Sequence, residues 1–113
     1  MQVQVNTDNH ISSSAELKQH VAATISDALS RFGDRITRVE VHLADQNSAA
    51  KGGGHDIRCS LEARPASMSP ILVTHDAATI DEALSVAVDK LEKTLEKTFD
   101  RRDDPKGRTS FAG

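Results

Sequence analysis

Polar and apolar residues alternate through Gln2-Val3-Gln4-Val5-Asn6 with a period of two, the pattern of a strand with one buried face, and Thr7-Asp8-Asn9 ends the run. Ser12-Ser13-Ser14 follow, each able to accept from the open amides of a first helical turn. Apolar residues then recur at Leu17, Val21, Ile25, Ala28, Leu29 and Phe32, which predicts a helix that Gly33 closes as a left-handed cap. Val39, Val41 and Leu43 alternate with Arg38, Glu40 and His42; Ile57, Cys59, Leu61 and Ala63 alternate with Arg58, Ser60, Glu62 and Arg64. These are two half-exposed strands, separated by the glycine-rich stretch Lys51-Gly52-Gly53-Gly54-His55. Ile71-Leu72-Val73-Thr74 predicts a shorter strand between Pro70 and Asp76. The last element carries Ile80, Leu84, Ala87, Val88, Leu91, Leu95 and Phe99 on one stripe, entered at Thr79 with Glu82 three residues on, a capping-box pattern. Past Arg102 the turn formers Asp103 to Arg108 have no period. We therefore expect one domain over residues 1–102 and a flexible tail over 103–113.

The order strand, helix, three strands, helix predicts an α+β fold, β-α-β-β-β-α. A strand-helix-strand unit favours a right-handed crossover with its strands parallel, and the short links among the later strands favour antiparallel pairing. Each helix has one apolar stripe and each clear strand one apolar face. A four-stranded mixed sheet with both helices packed on one face buries all of them, and leaves Gln2, Gln4, Arg38, Glu40, His42, Arg58, Ser60, Glu62 and Arg64 on the other.

Composition narrows the function. With 113 residues there is room for one domain, and with aromatic residues at 3% the core must be aliphatic. That scarcity disfavours an aromatic stacking platform for single-stranded nucleic acid, and a formal charge of −3 disfavours coating nucleic acid by bulk charge. No apolar run approaches the ~20 residues of a membrane helix, and polar residues interrupt the first ten positions. One cysteine forms no internal disulfide. The expectation is a cytoplasmic protein of a reducing compartment, with no membrane partner.

Specific chemistry is sparse. His10, His20, His42, His55 and His75 are dispersed without zinc-ligand spacing, so neither a metal nor any other cofactor is expected. Lys51 precedes the glycines and a strand follows them, the reverse of a phosphate cradle. Cys59 has inward parity and no base beside it, and Ser12 to Ser14 lack the strand-turn-helix elbow of a hydrolase. We expect no enzyme and no small-molecule substrate. What remains is the last helix, where Lys90, Lys93, Lys97 and Arg101 form a column opposite Leu84, Leu91, Leu95 and Phe99, beside a second column of Asp89, Glu92, Glu96 and Asp100. Residues 89–113 hold seven of the fourteen Lys and Arg against six acids. Such a face is either a solvated lattice of weak ion pairs or a ridge that meets phosphates.

The opening Met1-Gln2-Val3-Gln4-Val5, the junction Phe32-Gly33-Asp34-Arg35-Ile36 with Val39-Glu40-Val41-His42-Leu43, and Asp89-Lys90-Leu91 followed by Lys93, Leu95, Lys97 and Arg101 together resemble a known family. It is the family of ribosome hibernation promoting factors and ribosome-associated inhibitors, also called sigma-54 modulation proteins. The likeness runs from residue 1 to about residue 102. It implies the same fold, and a ribosome-associated stress factor that binds the small ribosomal subunit where messenger and transfer RNA sit and inhibits translation. Lys18, Lys90, Lys93, Lys97 and Arg101 match the family's RNA-contacting basic positions. The chain departs at Thr24 and Asp27, where lysine is typical, and at Phe99, where lysine is common, which implies a shallow salt dependence of binding. Without the extra C-terminal domain of long members it resembles the short class; its oligomeric state is open. The alternative is a protein-interaction module with the same fold that has lost strong ribosome binding.

Overall fold

The computed structural model describes residues 1–46 and 56–103. Its elements are β1 (Gln2–Thr7), α1 (Ala15–Leu29), a 3-10 segment (Ser30–Arg35), β2 (Ile36–Asp45), β3 (Ile57–Pro65), β4 (Ile71–Ala77) and α2 (Ile80–Asp103). The expected β-α-β-β-β-α order is what the chain adopts. The sheet runs β1-β2-β3-β4, with β1 parallel to β2 and the other neighbours antiparallel. Both helices cover one face, α1 over β1 and α2 over β3 and β4.

Local chemistry explains the boundaries. Ser14 is extended and its Oγ accepts from the Leu17 amide at 3.0 Å, satisfying one open donor of the first turn of α1. Thr79 does the same for Glu82 at 3.1 Å at the start of α2. The first helix ends earlier than its apolar spacing suggests. Regular α-helix stops at Leu29, and Phe32 is brought inward by the tighter 3-10 segment. Gly33 has φ +55° and ψ −131°, so its backbone lies in a region open to glycine but outside the left-handed helical basin expected of a cap. Strand β4 continues past Thr74 to Ala77, paired with β3 as far as Ile57. The glycine-rich stretch from Lys51 to His55 lies outside the described residues, as does the expected tail beyond Asp103, which is the last residue of α2.

Between sheet and helices lies an aliphatic core. Val21, Ile25 and Leu29 of α1, Val39, Val41 and Leu43 of β2, Cys59 and Leu61 of β3, and Leu84, Leu91 and Leu95 of α2 are almost wholly shielded from water. Each such side chain contributes about 1.5 to 3 kcal/mol by burial. Two phenylalanines close one end: Phe32 and Phe99 meet with ring centres 5.5 Å apart, tilted at 44°.

Candidate nucleic-acid interface

The residues that could bind a polyanion sit on α2, and its neighbours give its two flanks opposite characters. At ~100° per residue, Asp81, Asp89 and Glu92 fall on the flank that faces α1. There they line an open groove of about 580 Å³, with Leu84 and Val88 at its floor and His20 and Thr24 across from them. His20 Nε2 lies 3.3 Å from Asp81. Arg31, from the 3-10 segment, approaches Glu92 at 3.9 Å and Glu96 at 3.7 Å.

The other flank runs beside the edge strand β4 and carries the basic column. Lys90, Lys93, Lys97 and Arg101 are all exposed. At ~100° per residue the column lies well round the helix from the buried stripe, as its spacing predicts. The long Lys90 side chain reaches back from it, its ammonium donating to the Thr74 carbonyl of β4 at 3.1 Å and so covering part of an otherwise open strand edge. Lys93 turns toward the acidic flank and pairs with Asp89 at 3.1 Å, with both side chains well exposed. Among the described residues Lys97 and Arg101 have no ion-pair partner. A phosphate strand approaching from the β4 side meets donors, and one approaching over the groove meets carboxylates.

Lys18 is exposed on α1, roughly 120 to 160° round the helix axis from the groove-lining His20 and Thr24. The structure does not gather it with the α2 column. The outer sheet face is arranged differently again. Arg38 binds Gln4 and pairs with Glu40 at 2.7 Å, His42 lies 3.6 Å from Glu40, and Arg64 lies 3.5 Å from Glu62. Arg58 makes a two-pronged bond with Asp76 at 2.8 and 3.1 Å, and that carboxylate raises the guanidinium's pKa further above its ordinary value. Each of the arginines on this face is matched with an acid from the same or a neighbouring strand.

Cys59 is fully buried, and burial pushes its thiol up to about 12, so it remains protonated and unreactive at neutral pH. No group of three or more potential metal ligands occurs among the described residues. Three basic residues escaped the sequence reading: Arg31 and Arg35 of the 3-10 segment and Arg102 at the end of α2. The guanidiniums of two of them sit on the phenylalanines, Arg31 4.5 Å above the Phe32 ring and Arg35 4.0 Å above that of Phe99, while Arg102 donates to the Ser67 carbonyl. The available signal was the pairing of Arg with Phe in Arg31-Phe32 and of Phe99 with the two following arginines.

Comparison with known proteins rests on this geometry. The fold is similar to the crystal structure of the N-terminal domain of Protein Y from Thermus thermophilus, with a TM-score of 0.68 and 16% identity, over 87% of this chain and 99% of that one. It is similar also to a ribosomal subunit interface protein from Coxiella burnetii, with a TM-score of 0.64 and 15% identity, over 87% and 97% of the two chains. At these identities the likeness is one of fold. No curated protein matches the chain in sequence. A model of the family described as sigma 54 modulation protein / S30EA ribosomal protein matches residues 3–103, nearly all of the chain, and the chain belongs to that family.

Proposed function

We propose that this protein is a cytoplasmic, non-enzymatic, ribosome-associated stress factor that binds RNA of the small ribosomal subunit and inhibits translation by occupying the channel for messenger and transfer RNA. The observation that carries the reading is the contrast in cation pairing: among the described residues Lys97 and Arg101 are exposed and without acid partners, while the arginines of the sheet face are matched. Family membership supports it, as does the name of the Coxiella burnetii protein with the same fold. The main contact is the β4-side flank of α2. Lys90 to Arg101 covers ~16 Å of helix at 1.5 Å per residue, enough for two or three neighbouring phosphates. Lys18, on the far flank of α1, makes a separate and weaker contact.

Mechanistically, each phosphate neutralised releases a counterion, so affinity falls as salt rises, with a shallow slope because few basic residues take part. Inhibition follows from exclusion, since a bound domain and a message cannot occupy one channel. The test is co-sedimentation with purified small subunits at moderate salt, comparing wild type with the Lys93→Glu/Lys97→Glu variant. Loss of binding with an almost unchanged melting temperature is expected. Binding indifferent to salt and to the double reversal overturns the ridge. The acid-lined groove favours a second reading, a protein-interaction module for a basic protein surface, and absence of subunit binding at low salt would overturn the first reading and leave this one to be tested.

A further inference from the structure

The α2 column does not stop at Arg101; around the C-terminal end of the helix stand arginines from two places in the sequence, the 3-10 segment and the end of α2. Arg35 lies 4.0 Å over the Phe99 ring and Arg31 4.5 Å over the Phe32 ring, and the two rings pack against each other at 5.5 Å. Arg102 follows Phe99 by three residues, placing it on an adjacent strip of the helix, and its Nη1 donates to the Ser67 carbonyl at 3.3 Å. The same turn is tied to the 3-10 segment, because the Ala66 amide donates to the Arg35 carbonyl at 2.8 Å. Phe32 and Phe99 are buried whereas Arg31, Arg35 and Arg102 are exposed, so a rigid apolar pedestal carries guanidiniums at the surface.

We propose that Arg31 and Arg35, held on the Phe32–Phe99 pair, together with Arg102 form a second phosphate-binding element that grips single-stranded RNA where it leaves the Lys93–Arg101 ridge. The inference rests on the RNA-binding reading above and adds residues which that reading does not use. Three physical arguments support it. Guanidinium presents planar paired donors that match phosphate oxygens, and a guanidinium already seated on an aromatic ring loses little further freedom on binding. Arg31 lies in ion-pair range of Glu92 and Glu96, at 3.9 and 3.7 Å, but neither contact is a hydrogen bond and its side chain is half exposed, so the guanidinium can exchange these loose pairs for a phosphate. The pole also continues the column: Lys97 and Arg101 approach the C-terminal end of α2 along the β4 flank, and Arg102, Arg35 and Arg31 carry donors round that end. Asp34 and Asp100 are exposed at the same end, so the element acts through directed donors and not through a uniform positive field.

The experiment measures binding of the full chain to purified small ribosomal subunits across a salt series, for wild type, Arg31→Glu/Arg35→Glu, Arg31→Lys/Arg35→Lys and the Lys93→Glu/Lys97→Glu ridge variant, with thermal melts of each. Arg31→Glu/Arg35→Glu should bind about tenfold more weakly, with a salt slope flatter by about 1.4, or ~0.7 for each of two lost contacts on a single strand. Arg31→Lys/Arg35→Lys should keep the wild-type slope yet lose affinity severalfold, because charge survives and the planar, stacked donors do not. If the acidic pair proves unfolded, the lysine pair decides, and wild-type affinity in it overturns the proposal. A defective ridge variant alongside wild-type behaviour of both arginine variants leaves the ridge standing and reduces the pole to a structural clasp. Failure of the wild type itself to bind at low salt overturns both readings together.

Discussion

The outer face of the sheet and the β4-side flank of α2 both carry basic side chains into water, and they use them differently. On the sheet, opposite, diagonal and alternate positions bring side chains together, so Arg58 meets Asp76 directly across on β4, and Arg38 meets Glu40 two residues on in β2 and Gln4 diagonally on β1, without any movement of the backbone. On α2 the acids stand in the next column round the helix, toward α1, and among the described residues only Lys93 of the basic column pairs with one of them. The same residue types thus complete the fold in one region and remain available in the other. Availability to a partner follows from the geometry of pairing, and a count of Lys and Arg does not reveal it.

Four measurements sharpen or break this contrast. The largest effect should come from beneath it: Leu95→Ala removes a fully buried side chain of the stripe that seats α2, and should lower stability by about 2 to 5 kcal/mol in denaturant titration. A loss below about 1 kcal/mol would mean that charge pairing, and not the stripe, holds the helix. Next is Cys59 on the inner face of the sheet. Its thiol is raised from an ordinary 9.0 to about 12, so the native state keeps a proton that the unfolded chain releases. Its contribution to stability is therefore complete below pH 9 and falls away as pH climbs toward 12, and Cys59→Ala should show a shallower decline over that window; parallel pH curves would refute it.

Smaller again is Glu40→Ala, which unpairs Arg38 on the sheet face and should cost about 1 kcal/mol while leaving binding to small subunits intact. Weaker binding from this variant than from Lys93→Glu/Lys97→Glu would reverse the contrast and hand the interface to the sheet. Smallest is Lys93→Ala, whose exposed pair with Asp89 is worth roughly 0.3 to 0.5 kcal/mol, an effect expected to vanish at high salt. A melting temperature that drops by several degrees would show Lys93 committed to the fold.

Much of the fold was legible because alternation and the helical stripe depend only on neighbours close in the chain. Val39, Val41 and Leu43 identify an inner face before any partner strand is known, and Ser14 and Thr79 mark helix starts by capping chemistry. The end of α1 was misread because the apolar spacing runs on through Phe32 while the backbone tightens after Leu29, and periodicity barely separates a 3-10 turn from another turn of α-helix. For the candidate interface, the spacing of Lys90, Lys93, Lys97 and Arg101 correctly implied exposure on one helix. It could not show that Lys90 would reach the Thr74 carbonyl. Nor could it join Arg31, Arg35 and Arg102, which lie in two elements nearly seventy positions apart, the separation between Arg35 and Arg102 being 67 residues in the chain.

By itself, then, the sequence determined the order of elements, the face each one buries and the family likeness, because each of these is written in short-range periodicity or in local motifs. The tertiary structure decided which flank of α2 faces α1 and which faces β4. A periodic pattern gives angles about the helix's own axis, measured from its buried stripe, but it does not say which neighbour stands on the left and which on the right. That choice belongs to the packing of the whole sheet, with α1 over β1 and α2 over β3 and β4, and it is what puts the carboxylates in the groove and leaves the lysines at the edge.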